Sequence, residues 1–354
     1  MKITAIISEF NPLHFGHKRL IDYAKSTSDV VVCVLSGHFV QRGMPSVADK
    51  WQRAKHAIQA GADIVVQLPT IFATASAKDF ALGGVSTALQ VGADTIVFGS
   101  ISGDVNLLKD CANQLTLCDE KIKQNMKKGN ISYPSAVALA LPQFEDVLSY
   151  GNDTLGIEYI LASKTLGANV EFDTIKRNYD ADKYCTASII RKLSKEGKPL
   201  NNFLPDFVKG EYDVTVEDRY KEFAKNFFAT QTKEQIENTL GVAEGLENLL
   251  EKAWQSKDFD TLMSTIKSKR YTQARLQRII LANLLGITKE NMKEAKSATP
   301  PIKILAVKEK RANELLTIVK ETKSSEVFDK IESRADKVYF SLAGGKNPTK
   351  LPKY

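Results

Sequence analysis

The chain has no run of about 18 or more apolar residues, so no membrane-spanning helix is expected. Its start lacks the basic flank and small-residue cleavage site of a signal peptide. The four cysteines, Cys33, Cys111, Cys118 and Cys185, form no CxxC pair. That argues against a zinc site, and with no disulfide framework in view it favours a reducing cytoplasm. Cys33 falls in an apolar run and reads as a core thiol. No GxGxxG follows the first strand-like segment, which counts against a dinucleotide-binding dehydrogenase. Internal repeats and low-complexity segments are missing. One more absence is local: between Asp260 and Glu290 no acidic residue occurs.

That acid-free window holds Lys267, Lys269, Arg270, Arg275 and Arg278 around Tyr271. A charge run is commonly a solvated helix face. Basic residues clustered around an aromatic also suit a polyanion, although clustering alone separates neither RNA from DNA nor either from a membrane surface. The 354 residues suffice for two domains with their own cores, the composition is that of an ordinary soluble protein, and the net charge is +7.

Strand-like and helix-like segments alternate through the first 200 residues. Ile3–Ile7, Asp29–Leu35, Ile64–Pro69, Thr95–Gly99 and Val170–Arg177 read as strands, mostly apolar on both faces. Helices are expected at Asp49–Gly61, Ser76–Val91, Asp104–Lys128, Tyr133–Leu141 and Gly151–Leu166, and one opening at Cys185. The pattern predicts an α/β fold, a doubly wound parallel sheet, over residues 1–200. From 201 to 354 it becomes mainly helical, at Thr232–Leu240, Gly245–Trp254, Tyr271–Leu285 and Arg311–Lys323, with strand-like Ile302–Val307 and a loose tail from Ser341.

In such sheets ligands sit beyond the carboxyl ends of the strands. The first of those ends is followed by Asn11-Pro12, which breaks the strand, and by His14-x-Gly16-His17, which opens a helix. Two of the chain's four histidines thus lie three residues apart on one helix face. They face the N–H groups of a first helical turn, a ready site for phosphate. Gly16 leaves room for a planar base. The loop Ser36–Gly43 and the strand end Gly99–Ser100 share the rim; Ser36, Gln41 and Arg42 are its candidate substrate contacts. Asn152 or Asp153 could simply cap a helix. Ser188 with Arg191 one turn on forms a second anion-gripping corner, in which capping alone accounts for Ser188 and Arg191 carries the functional weight.

His14-Phe15-Gly16-His17 resembles the HxGH signature of the nucleotidyltransferases that attack the α-phosphate of ATP. Six segments together resemble the bacterial tRNA(Met) cytidine acetate ligase family: Glu9–His17, Ser36–Gly43, Gly61–Pro69, Val97–Ser100, Asn152–Gly156 and Lys269–Thr272. One departure is visible, since the superfamily's late Thr-x-Ile-Arg turn stands here as Ser188-Ile189-Ile190-Arg191.

The resemblance implies an enzyme that joins acetate to the wobble cytidine of elongator tRNA(Met), making N(4)-acetylcytidine through acetyl-adenylate with release of AMP and pyrophosphate. It places ATP contacts at Ile7, Ser8, Glu9, Phe10, Asn11, Pro12, Leu13, His14, Phe15, Gly16, His17, Lys18, Arg19 and Leu20. Gly99, Asn152, Ile175, Lys176 and Arg177 join them. His14, His17 and Arg191 are the implied catalytic residues, and Mg2+ bridging the phosphates is expected on general grounds. The tRNA would meet Lys267, Lys269, Arg270, Tyr271, Arg275 and Arg278, with binding weakened by salt. No protein metal ligands, no DNA and no membrane partner are expected. Two rivals stay open: a small-molecule adenylyltransferase of cofactor biosynthesis, and a non-catalytic RNA-binding protein on a decayed nucleotide fold.

Overall fold

The computed structural model describes residues 1–129, 131, 133–177, 186–200, 202–243, 245–253, 255–267 and 271–344. Cys185, Trp254, Lys269, Arg270 and the tail from 345 lie outside the described residues.

The strands in chain order are β1 (Ile3–Ser8), β2 (Val30–Ser36), β3 (Phe39–Val40), β4 (Met44–Pro45), β5 (Ile64–Leu68), β6 (Thr95–Ser100), β7 (Glu171–Lys176) and β8 (Ile304–Val307). Six of them form one sheet in the order β7-β6-β1-β2-β5-β8. The first five in that order run parallel, and β8 pairs antiparallel with β5. β3 and β4 make a separate small hairpin. β1, β2 and β5 are buried along their whole length, as near-continuous apolar runs require when both faces are covered.

Alternation along β1 divides the interior. Ile3, Ala5 and Ile7 face a core shared with α3 (Ala77–Gln90) and α4 (Gly151–Thr165). Ile6 faces the opposite core, with α1 (Phe15–Thr27) and α2 (Lys50–Ala60). Asp49 caps α2 by accepting from the Gln52 N–H, and Gly61 ends it at φ +121°, a conformation that favours glycine. The single helix expected over Asp104–Lys128 is two, Val105–Leu117 and Asp119–Gly129, with Cys118 between them.

The later helices that matter here are α5 (Ala187–Lys195), α6 (Val216–Phe228), α7 (Gln273–Leu285) and α8 (Glu326–Ala343). α6, α7 and α8 contact one another and the β4 side of the hairpin is met by α6 and α7. The described residues beyond 200 are not packed apart from the sheet. β8 extends its edge, and the larger core cluster runs from Ile3 to Leu342.

Candidate active site

At the carboxyl end of β1 the backbone turns sharply. Phe10 is fully buried with φ +44°, a region costly for a non-glycine residue, and Asn11-Pro12 is cis. Asn11 Oδ1 accepts the Val47 N–H at 2.8 Å, which anchors the turn. His14 follows as the N-cap of α1.

The two imidazoles stack, ring centroids 3.7 Å apart and planes 26° from parallel, and the edge of Phe10 meets His17 at 5.0 Å. His14 Nδ1 accepts the Gly16 N–H at 3.0 Å, and His17 Nδ1 accepts the His14 N–H at 3.4 Å. The Phe15 N–H is taken by the Phe203 carbonyl. The expectation that backbone N–H groups of this first turn await phosphate is therefore corrected: the rings consume two of them. In exchange the rings are oriented. With Nδ1 accepting, a neutral imidazole carries its proton on Nε2, so each ring presents one donor, a tautomer assigned from these bonds. Both rings are neutral. Burial, then the nearby Arg177 guanidinium, pushes His14 down to about 3; burial, His14 and Arg177 hold His17 well below its usual value.

The pair borders a cavity of about 700 Å³. Of the residues expected to hold ATP, Ile7, Ser8, Glu9, Phe10, His14, Gly16, His17, Arg19, Leu20, Gly99, Asn152, Ile175, Lys176 and Arg177 line it, as do Gln41 and Arg42 of the rim loop. Asn11, Pro12 and Leu13 lie beneath it, whereas Phe15 and Lys18 point outward, Lys18 paired with Asp22 at 2.7 Å. Ser36 is fully buried and does not reach the cavity. Residues not singled out from sequence complete the wall, among them Phe80, Phe98, Thr154, Tyr159 and Thr186. Phe98 and Thr154 stand inside segments already suspect, beside Gly99 and Asn152. Phe80 and Tyr159 carry no local signal, being core-like positions of α3 and α4 that also reach the cavity.

The rims are held by polar contacts. Asp153, buried, accepts the Ile101 and Ser102 N–H groups at 2.7 and 3.1 Å, which fixes the loop after Gly99. It is thus no helix cap. Asn152 Nδ2 reaches the Gly99 carbonyl at 3.4 Å, and Arg19 donates to the Lys176 carbonyl at 2.5 Å. Arg53, fully buried, donates to the carbonyls of Glu9 at 2.6 Å, Ala48 at 3.0 Å and Gly37. His38, expected on the rim, turns inward instead. It stacks on Tyr339 at 4.3 Å and meets Asp336 at 3.3 Å, where the buried Lys50 also ends, 2.6 Å from the same carboxylate.

Thr186, not Ser188, caps α5. The Ser188 hydroxyl accepts from Arg42 at 2.8 Å. Arg191 donates to the Asn11 carbonyl at 2.7 Å and pairs with Glu217 at 3.3 Å. It lines an adjoining hollow of about 420 Å³ with Ser188, Lys192, Lys195, Glu196 and Glu217, not the main cavity.

Of the basic group, Lys267 is exposed, and Arg275 lies over the Tyr271 ring at 4.8 Å while donating to the Gly241 carbonyl. Tyr271 is buried and offers no open stacking face. Arg278 approaches the Gln41 carbonyl at 3.5 Å, so α7 abuts the rim loop.

The family model described as HIGH Nucleotidyl Transferase matches residues 1–347. A tRNA(Met) cytidine acetate ligase of Caldicellulosiruptor bescii is 35% identical over 332 residues, 86% of this chain and 82% of its own length. One from Clostridium botulinum strain Okra is 33% identical over 371 residues, 94% of this chain and 90% of its own. Among solved structures, Thermotoga maritima TmcAL bound with alpha-thio ATP superposes with a TM-score of 0.85 at 27% identity, covering 97% of this chain and 95% of that one.

Proposed function

We infer the function from one premise: the chain belongs to the HIGH nucleotidyltransferase family and, within it, to the tRNA(Met) cytidine acetate ligases. The reaction is the ATP-dependent ligation of acetate to the wobble cytidine of elongator tRNA(Met). It yields N(4)-acetylcytidine, AMP and pyrophosphate through acetyl-adenylate. The observation that carries this reading is the stacked, neutral His14–His17 pair on the wall of a cavity that Arg19, Arg42, Lys176 and Arg177 also line.

An acetate oxygen attacks the α-phosphorus, and the bond to the bridging oxygen breaks as pyrophosphate leaves. The imidazole Nε2–H groups donate to phosphoryl oxygens, and Arg19, Arg42, Lys176 and Arg177 supply positive charge along the same wall. This work is positioning and electrostatics. Arg191 holds the Asn11 turn beneath the pair and assists through it. Mg2+ is expected to arrive on the nucleotide with phosphate and water ligands. No group of three or more His, Cys, Asp or Glu side chains among the described residues would form a cage for it.

The cytidine amine, a weak nucleophile, then attacks the activated acetyl carbon. An anticodon loop presents such a base unstacked more readily than a duplex does. Residues 1–200 hold ATP and acetate in this reading. The tRNA approaches over the helical part of 201–354, near Lys267, Arg275 and Arg278, with Lys269 and Arg270 between them in sequence. ATP and tRNA place the reaction in the cytoplasm; among the described residues no helix is long and apolar enough to cross a membrane.

The test is incubation with ATP, radiolabelled acetate and total tRNA. Label entering tRNA supports the ligase. ATP–pyrophosphate exchange that ignores acetate and answers to another small-molecule acceptor points to a cofactor adenylyltransferase, and no exchange with any acceptor points to a non-catalytic protein.

A further inference from the structure

Aminolysis of acetyl-adenylate releases a proton that the adenylylation half-reaction does not. When the exocyclic nitrogen attacks the acetyl carbon, a C–N bond forms and the nitrogen becomes cationic. The C–O bond to the phosphate breaks, its electron pair leaving with AMP, and one N–H proton must go to a base.

The cavity wall limits the choice. Arg and Lys side chains are donors only. His14 and His17 have their Nδ1 lone pairs occupied by backbone N–H groups and carry protons on Nε2, so neither ring offers a free basic nitrogen. Hydroxyls and amides are too weakly basic to hold a proton at neutral pH. One group is left. Glu9 is the single carboxylate among the described residues lining the cavity.

Its placement suits the task. Glu9 Oε1 accepts the Gln41 N–H at 2.8 Å, and its main-chain carbonyl is held by Arg53 at 2.6 Å, so the side chain is fixed at both ends. Oε2 has no hydrogen-bond partner among the described residues, and Glu9 forms no ion pair among them. A carboxylate with one oxygen unpartnered, on a wall that also carries Arg19, Arg42, Lys176 and Arg177, is poorly explained by nucleotide binding alone, since it repels both triphosphate and acetate. It also lies on the Gln41 side of the cavity, where Arg278 of α7 abuts the rim loop. That is the side from which a tRNA base would enter.

We propose that Glu9 is the catalytic residue that accepts the amine proton as acetyl passes from AMP to cytidine, a role resting on the ligase reading above. The proton moves on to water once AMP has left. Because the proton comes off a nitrogen made strongly acidic by attack, a carboxylate suffices.

The test uses the full chain and two separate readouts: acetate-dependent ATP–pyrophosphate exchange, and single-turnover transfer of acetate to a tRNA(Met) transcript. Glu9→Gln keeps the side-chain oxygen that accepts from Gln41 but cannot take a proton. Its transfer is expected to fall about 100-fold further than its exchange. Acetyl-adenylate should accumulate beside unmodified tRNA by mass spectrometry, and Glu9→Asp should restore part of the transfer. Thermal unfolding of each variant checks the fold. Transfer and exchange falling in parallel would overturn the role and point to nucleotide or Mg2+ binding, and wild-type transfer in Glu9→Gln would overturn it outright. Wild-type protein that makes acetyl-adenylate yet leaves tRNA bare overturns the ligase reading, and this role with it; the two failures are thereby told apart.

Discussion

In the proposed mechanism His14 and His17 donate from Nε2, and a single preorganised donor of this kind contributes about 10²–10³ in rate. His14→Ala is therefore expected to cut acetate-dependent exchange by that factor, while tRNA binding, measured by filter retention, changes little. Equal exchange in variant and wild type would refute the assignment. The same neutrality has a consequence for stability. Burial is the first cause of depression at all four histidines: His14 and His38 to about 3, His56 to about 4, His17 well below the ordinary 6.5. Unfolded, each would titrate near its ordinary value, so below that pH the unfolded chain binds more protons than the native one. Stability is full above about pH 6.5 and falls as pH drops, by about 1.4 kcal/mol per unit for each histidine. Urea midpoints at pH 7.5 and 5.0 should differ strongly, and a flat profile would contradict the buried, uncharged rings. The HxGH spacing made the pair legible from sequence. Which nitrogen faces the ligand was not, because that depends on which backbone N–H each ring captures.

Close approach between elements decides how the cavity wall is set. Gly156 of α4 lets the helix lie directly on Phe98, where a Cβ would come within 2.3 Å of the ring. Phe98 lines the cavity, and α4 begins at Gly151-Asn152, so a displaced helix disturbs both. Gly156→Ala should lower stability by about 1–3 kcal/mol through overpacking and weaken ATP binding together. Calorimetry of unfolding and of ATP binding would check both; a variant with normal affinity would show the wall to be more compliant than its packing implies. The Asn-Asp-Thr-Leu-Gly word was visible in the sequence, but its glycine's partner was not, since nothing local tells which strand end a helix rests on. The strands β1, β2, β5 and β6 were legible for the opposite reason: each is a bounded apolar run, needing no knowledge of its neighbour. His38 shows the limit of that reasoning. Its loop position suggested the rim, and only the distant Asp336 and Tyr339 explain why it faces inward.

At the scale of the whole molecule, the division of labour proposed above does not coincide with a division of the fold. Residues 1–200 carry the cavity, yet four of their features end on residues from beyond 300. β5 pairs with β8; Lys50 and His38 share Asp336; His38 stacks on Tyr339; and Glu332 accepts from the Thr70 N–H at 2.5 Å and the Thr70 hydroxyl at 3.0 Å. Strand-like Ile302–Val307 could be seen in the sequence, but with a helical stretch on either side its place at the edge of a distant sheet could not. A fragment ending at residue 200 would lack α8 and with it Asp336, the carboxylate that Lys50 and His38 meet. It would also expose the β5 edge and the apolar surface that α8 covers. A typical domain is stable by only about 5–15 kcal/mol, so losing an edge strand and a covering helix is decisive. The fragment is expected to aggregate or to unfold without a cooperative transition, and to show no ATP–pyrophosphate exchange. In the full chain, where Lys50 stays covered, Asp336→Ala leaves its ammonium buried without a carboxylate and should cost about 3–5 kcal/mol, read as a lower urea midpoint. A 1–200 fragment that melts cooperatively and still exchanges pyrophosphate would mean that the C-terminal strand and helix are accessories. The fold as described makes them part of the sheet and core that carry the cavity.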